Sequence, residues 1–210
     1  ILITNFIIIP GLTYGSQLAL GALGVTIIYA VLRFSNFAHG ELMSFGAMCT
    51  ILFTFALQNQ GIHFFFLPTA LIALPLGAAV TIFYCLITNR FVYEHYRGKK
   101  INPTTYLILS VGVLFFTAGL IRFIIGPDLI KFNDGTKFLL KAGDFKEMTG
   151  LNEGLAIKNT QVLTLIITLL LVISLFWFLK KTKTGKAMRA FSDNEDLALL
   201  SGINPKKIIN

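Results

Sequence analysis

The stretch Arg33-Phe34-Ser35-Asn36-Phe37-Ala38-His39-Gly40-Glu41 interrupts a long apolar region and determines how the rest of the chain is interpreted. No charged residue precedes it in residues 1–32, and none follows it in residues 42–57. Unpaired polar groups in hydrocarbon cost several kcal/mol each. The cluster therefore predicts a break between two membrane helices that faces a water-filled path or the cytoplasmic surface.

Composition places the chain in a membrane. Of its 210 residues, 55% are hydrophobic and 13% are charged, and the mean hydropathy is +0.74. Soluble domains carry about 25% charged residues. A soluble all-α core would need polar helix faces, which the apolar runs of this chain lack. The predicted fold class is an all-α integral membrane protein, a polytopic bundle of transmembrane helices with a broken helix near residues 35–41.

Five apolar segments are predicted to form one transmembrane domain over residues 1–210. Their approximate bounds are 5–32, 41–57, 64–88, 104–125 and 160–179. The second is short for a span, so we expect bilayer thinning or pairing with the unwound stretch before it. The first carries small residues whose spacing permits close helix approach in lipid, and we interpret them as helix-packing positions. These are Gly11, Gly15, Gly21 and Gly24.

Basic residues indicate the orientation and the kinds of partner. The net charge is +8, but the Lys and Arg excess lies in loop 89–103 and in the tail 180–210, so we predict membrane lipid and no nucleic acid as a partner. The positive-inside rule places both segments in the cytoplasm and loop 126–159 outside. The histidines are scattered and suggest no metal site.

The break contains the first group of candidate functional residues. Asn36, His39, Gly40 and Glu41 are predicted to lie on the translocation pathway or to satisfy free backbone groups where one helix ends and the next begins. Relay of protons by His39 and Glu41 would suit a proton-coupled secondary transporter or channel. Gly40 is expected to need glycine, which alone adopts unusual dihedral angles or allows close backbone approach freely.

The tail contains the second group. Ser192-x-x-Glu195 is a capping-box pattern that predicts a short helix over residues 193–200, ended by Gly202. No G-x-x-x-x-G-K-[ST] motif is present, because Lys180 stands five residues before Gly185. Without this phosphate-binding loop the chain cannot itself be an ATPase, and the tail is predicted to contact a partner protein. An integral membrane enzyme is the third class considered, but no paired carboxylates, metal ligands or nucleophile–base pair stand out, so no enzyme is predicted. The candidate coupling residues are Gly185, Arg189, Leu197, Ala198 and Gly202.

Several motifs resemble one known family, the branched-chain amino acid ABC transporter permeases of the Liv type. They are residues 11–16 (GLTYGS), residues 36–41 (NFAHGE), residues 184–190 (TGKAMRA), Ala198 and residues 202–204 (GIN). The resemblance implies a permease in the bacterial inner membrane that carries leucine, isoleucine or valine. It also implies a second permease subunit, two cytoplasmic ATPase subunits that bind ATP, and a periplasmic substrate-binding protein.

Two further expectations depend on this resemblance. Related permeases carry urea or short amides, which is the alternative substrate class. Members of the family continue through several more membrane helices, and residues 205–210 are typical of the start of another helix. We therefore expect that the chain is truncated at its C-terminus. We also expect that it needs no cofactor of its own.

Overall fold

Helices make up most of the computed structural model, which describes residues 3–61, 68–97, 102–126, 138–140, 147 and 156–203. The first half contains two π-helical turns, Thr4–Ile8 before α1 and Asn89–Tyr93 directly after α3. Its α-helices are α1 (Ile9–Leu32), α2 (His39–Asn59), α3 (Thr69–Thr88), α4 (Glu94–Arg97) and α5 (Pro103–Ile125). The second half contains β1 (Phe138–Leu140), β2 (Ile157–Lys158), α6 (Asn159–Lys181), α7 (Lys183–Asp193) and α8 (Glu195–Leu200).

Within the part of the chain that the structure describes, five helical stretches are long and apolar enough to cross a membrane, and they confirm the predicted all-α, multi-pass fold class. They are Thr4–Leu32, His39–Asn59, Thr69–Tyr96, Pro103–Ile125 and Asn159–Lys181. The stretch expected to be short, α2, has 21 residues and a length of about 31 Å. It is long enough because its polar ends also adopt helical structure, so it needs no thinned bilayer and no unwound partner.

Two predicted connections differ from the structure. The predicted loop 89–103 is wrong in its first part, because the π-helical turn and α4 continue α3 as far as Arg97. A helix can continue beyond its apolar span with polar side chains, because these do not disturb its backbone hydrogen bonds. The predicted external loop 126–159 contains an antiparallel pairing of β1 with β2, in which Phe138 lies opposite Lys158. Residues 62–67, where the third span was predicted to begin, lie outside the described residues.

Contacts divide the chain into two units, so the single domain stays a prediction. One unit comprises Ile1–Ile27 and Gly135–Ile208, and in it Ala156 N donates to Asn5 Oδ1 at 3.1 Å. The other comprises Ile28–Asp134 and Ile209–Asn210, and in it α2 packs on α3 and α5. The described residues of the second unit form two buried apolar clusters. One centres on Phe34, Ala38, Tyr93 and Val113, and the other on Phe45, Met48 and Cys49.

Two glycine–threonine pairs allow α2 and α3 to approach closely. Gly46 and Thr50 on α2 lie against Thr81 and Gly77 on α3. A Cβ atom on Gly77 would stand 2.9 Å from the backbone nitrogen of Thr50, and one on Gly46 would stand 3.1 Å from Thr81 Oγ1. Each hydroxyl donates to a carbonyl of its own helix, Thr50 to Gly46 at 2.9 Å and Thr81 to Gly77 at 2.8 Å. The pairs are small residues four apart, a spacing typical of membrane helix interfaces.

The glycines chosen for packing from the sequence behave differently. A Cβ atom on Gly11 or Gly15 would meet nothing within 4 Å, so neither lets a neighbouring helix approach closely in this structure. Gly21 and Gly24 are half-buried in α1. Their role in helix packing stays a prediction.

Candidate transport site at the helix break

The predicted break lies between α1 and α2, where residues 33–38 leave the helical conformation. Arg33 has a φ of 60°, which is uncommon for a residue with a side chain, and turns the chain out of α1. Asn36 Oδ1 accepts a hydrogen bond from Ala38 N at 3.1 Å, and Leu42 N donates to Ala38 O at 2.9 Å as α2 begins. The break is therefore an ordered turn whose polar backbone groups are partly paired within it.

Side chains from two other elements hold the break in place. Phe37 N donates to Ser110 Oγ on α5 at 3.2 Å, and the Tyr93 hydroxyl donates to Asn36 Oδ1 at 3.4 Å. Ser110 is completely buried. Because Ser110 lies seven residues from the first residue of α5, the break reaches about 10 Å along that helix. Tyr93 ends the π-helical turn after α3, so the break lies near the end of α3 and the beginning of α5 rather than at their middles.

Aromatic stacking supports the same arrangement. The ring of Phe34 is buried in the break and stacks on Tyr106 of α5, with ring centroids 5.1 Å apart. It also meets the ring of Tyr93 at 5.9 Å. Such pairs contribute about 0.5–1.5 kcal/mol beyond the burial of their area. The break is thus held both by hydrogen bonds between polar groups and by the stacking of the buried Phe34 ring.

A cleft of about 670 Å³ lies beside the break and is bounded by α2, α3 and the end of α1. Most of its lining is apolar, including Leu42, Met43 and Ile82. Its polar and sulfhydryl lining consists of Asn36, His39, Thr50, Thr81, Cys85, Thr88, Asn89 and Tyr93. Amide, imidazole and hydroxyl groups provide both hydrogen-bond donors and acceptors. An apolar pocket with a few such groups is typical of small-molecule sites.

The four residues predicted in the break occupy different positions around this cleft. Asn36 and His39 line it, whereas Gly40 and Glu41 are not among its lining residues. Residues two apart on a helix do not face each other, so His39 and Glu41 are poorly placed for a direct proton relay. Gly40 lies in the first turn of α2, and a Cβ atom there would meet nothing within 4 Å. No described residue therefore approaches this position closely, and its need for glycine stays a prediction.

The tail contains two helices where one was predicted. Thr182 caps α7, its Oγ1 accepting a hydrogen bond from Gly185 N at 3.0 Å. Since α7 continues to Asp193, Ser192 is inside a helix, and the predicted capping box is wrong. Asn194 caps α8 instead, with its Oδ1 accepting from Leu197 N at 3.1 Å.

The predicted end of the short helix is confirmed. Gly202 has a φ of 78°, in the left-handed region that favours glycine. Its amide donates to Leu199 O at 3.0 Å, and Ile203 N donates to Ala198 O at 3.1 Å. These bonds satisfy carbonyl groups at the end of α8, as glycine-terminated helices commonly do.

Two of the predicted coupling residues are buried by the chain itself. Ala198 is 3% exposed, so its side chain is covered by this chain rather than left free for a partner. Gly185 packs on the last turn of α6, where a Cβ atom would stand 2.9 Å from the carbonyl carbon of Phe178. Leu197 and Leu200 are 60% and 85% exposed, so they remain available to a partner. Arg189 is exposed on α7.

These features define a multi-pass helical membrane protein whose first two spans are separated by an ordered break beside a cleft. The model of the family "branched-chain amino acid transport system / permease component" matches residues 7–209, and the chain belongs to this family.

Individual relatives agree with the family match. The high-affinity branched-chain amino acid transport system permease protein BraD of Pseudomonas aeruginosa is 28% identical over 205 residues, which cover 96% of this chain and 63% of BraD. The permease proteins LivH of Escherichia coli K12 and Salmonella typhimurium are also 28% identical, over 95% of this chain and 62% of LivH. The chain thus spans less than two thirds of the length of these relatives. No solved structure matches it.

Proposed function

We propose that this chain is a pore-forming subunit of an ABC importer that carries branched-chain or chemically related amino acids across the bacterial inner membrane. Membership of the permease family over residues 7–209 supports the permease role. The names of BraD and LivH support the substrate class. The proposed partners are a second permease subunit, two cytoplasmic ATPase subunits and a periplasmic substrate-binding protein.

The single observation that carries the proposal is the family match over residues 7–209, and the cleft beside the helix break is the proposed position of the substrate. Its apolar wall suits a hydrocarbon side chain such as that of leucine or valine. The Asn36 side-chain NH2 lies on this cleft and can donate to the carboxylate of an amino acid. The His39 imidazole lies on the same cleft and can hydrogen-bond the ammonium or carboxylate group. A substrate in this position would touch the turn that Ser110 and Tyr93 hold, so movement of those helices would alter the substrate's surroundings.

Energy for transport is proposed to come from separate subunits. The sequence has no Gly-rich phosphate-binding loop of the G-x-x-x-x-G-K-[ST] type, so ATP would bind to the partners. The exposed leucines of α8, Leu197 and Leu200, are the proposed contact with an ATPase.

A proton-coupled mechanism is the second candidate, because His39 lines the cleft. The two mechanisms differ in what stops uptake of radiolabelled leucine by cells that express the complete transport system. We expect ATP depletion to stop uptake, and a protonophore to leave it largely intact while ATP is maintained. Loss of uptake with the proton gradient at constant ATP would contradict the proposal.

The substrate class and the cleft are tested in the same assay. Excess valine or isoleucine should compete with labelled leucine, whereas urea and acetamide should not. His39→Ala should reduce uptake by removing a polar group from the cleft. His95→Ala is the matched control, because His95 is exposed on α4 and is not among the residues that line the cleft. Equal uptake by both variants would remove His39 from the site.

A further inference from the structure

The end of α6 and the start of α7 carry a cationic surface, and only one of its basic residues, Arg189, is among the candidate coupling residues. Residues 180–189 contain five basic residues and no acidic one. All five are exposed, and we call them the basic face: Lys180, Lys181, Lys183, Lys186 and Arg189.

The contacts at the junction fix the basic face close to the end of the membrane span. Thr182 is the only residue between α6 and α7, and its Oγ1 donates to Phe178 O at 2.7 Å. Gly185 lies so near α6 that a Cβ atom would stand 2.6 Å from Leu179 Cα. The first turn of α7 therefore packs against the last turn of α6, and α7 cannot swing away without breaking these contacts.

Burial divides α7 into two faces. Gly185 and Phe191 are buried. Lys183, Lys186 and Arg189 follow one another at three-residue spacing, so they share one side of the helix, and all three are exposed. The face with Gly185 and Phe191 is covered by the rest of the protein, and the face with the three basic residues presents positive charge.

The residues that precede the basic face belong at a membrane interface. Phe176 and Trp177 are 50% and 62% exposed, one turn before Lys180. Exposed aromatic residues near the end of a span are typical of the headgroup region. The 23 residues of α6 extend about 34 Å, slightly more than the hydrocarbon thickness of about 30 Å. We therefore expect the end of α6 to leave the hydrocarbon, with the basic face beyond it on the side of the headgroups.

We propose that the basic face binds the headgroups of anionic phospholipids in the membrane that α6 crosses. Clusters of basic residues immediately after a span attract anionic lipid, and each residue strengthens the attraction about fivefold. An acidic surface of a protein partner would offer the same charge. The lipid is favoured because the aromatic residues continue into the basic face and because the exposed leucines available to a protein lie on α8 instead.

The only tryptophan of the 210-residue chain, Trp177, is a built-in probe for this proposal. The chain is reconstituted in vesicles that contain brominated phosphatidylglycerol, or the same mole fraction of brominated phosphatidylcholine with identical acyl chains. We expect phosphatidylglycerol to quench the fluorescence of Trp177 more strongly. High salt should remove the difference because it screens the charges. The combined variant Lys183→Gln, Lys186→Gln and Arg189→Gln should also remove it.

Two further variants test whether the lipid preference depends on the charge of α7 itself. They distinguish this charge from the total charge of the chain and from an effect of misfolding. Lys183→Arg with Lys186→Arg keeps the charge and should keep the lipid preference. Neutralisation of three lysines in the connection before α6 removes equal charge elsewhere and should also keep it; these are Lys137, Lys141 and Lys146. Equal quenching by the two lipids, or a preference that survives neutralisation of α7, overturns the proposal. The proposal is also overturned if the combined Gln variant of α7 keeps the lipid preference but no longer binds an ATPase subunit. The basic face would then be a protein-docking surface.

Discussion

At the scale of single residues, Gly77 limits how closely α2 and α3 can pack. A Cβ atom on Gly77 would meet the side chain of Thr50 and stand 2.9 Å from its backbone nitrogen. Since backbone cannot rotate aside, Gly77→Ala should push the two helices apart. Overpacking of this kind costs typically about 1–3 kcal/mol. We expect a lower free energy of unfolding, measured on the purified protein in detergent micelles by reversible denaturation.

Gly112→Ala is the matched control for this prediction. Gly112 also lies inside a membrane helix, α5, but a Cβ atom there would meet nothing within 4 Å. Alanine in a helix is favoured over glycine by roughly 0.5–1 kcal/mol, so this variant should be as stable as the original or slightly more stable. Similar stability of the Gly77 and Gly112 variants would show that the close approach is not needed.

The sequence predicted residues whose role is local and missed those whose role depends on a distant neighbour. Gly202 was predicted to end a helix, because its requirement for a positive φ concerns only the residues next to it. The contact between Gly77 and Thr50 joins residues far apart in the sequence, so no local pattern marks it. The burial of Ala198 was missed for the same reason, because it depends on a fold of the tail that was not foreseen.

At the scale of elements, α8 is the segment proposed to transmit ATP-driven movement. Leu200 is 85% exposed, so a change there disturbs the proposed contact and not the fold, in contrast to a change at the buried Ala198. Leu200→Glu should abolish copurification with the ATPase subunits, since an unpaired charge at an interface typically costs a few kcal/mol. Leu200→Met keeps the apolar contact and should copurify normally. Normal copurification of the Leu200→Glu variant would remove α8 from the contact.

The long apolar helices could be predicted because an uncharged run of about 20 residues has few alternatives in a membrane. Their ends were less predictable, since helix caps and the π-helical turn after α3 are decided by a few hydrogen bonds. The helix α7 was missed: Thr182 caps its first turn, and Phe191 near its end is buried. The cleft could not be predicted, since it depends on which faces of α2 and α3 meet.

At the scale of the whole molecule, charge and span number together predict the orientation. If all five candidate spans of the described residues cross the membrane, residues 3 and 203 lie on opposite sides of it. Five basic residues are concentrated in residues 180–189, whereas five lysines are spread over residues 126–159 and matched by five acidic residues. The positive-inside rule therefore puts the tail in the cytoplasm and the connection before α6 outside. The break, beside Tyr93 and the beginning of α5, then lies toward the cytoplasm.

Single cysteines tested with a membrane-impermeant maleimide decide this orientation. In a background with Cys49→Ala and Cys85→Ala, we expect Glu147→Cys to be labelled in spheroplasts, because residue 147 is exposed in the connection assigned to the outside. Ser201→Cys is exposed after α8 and should be labelled only once the membrane is permeabilised. Labelling of both after permeabilisation establishes that each thiol is reactive. If Ser201→Cys reacts in sealed spheroplasts, α8 faces outward, where no cytoplasmic ATPase can reach it. That result would contradict both the predicted orientation and the proposed coupling role of α8.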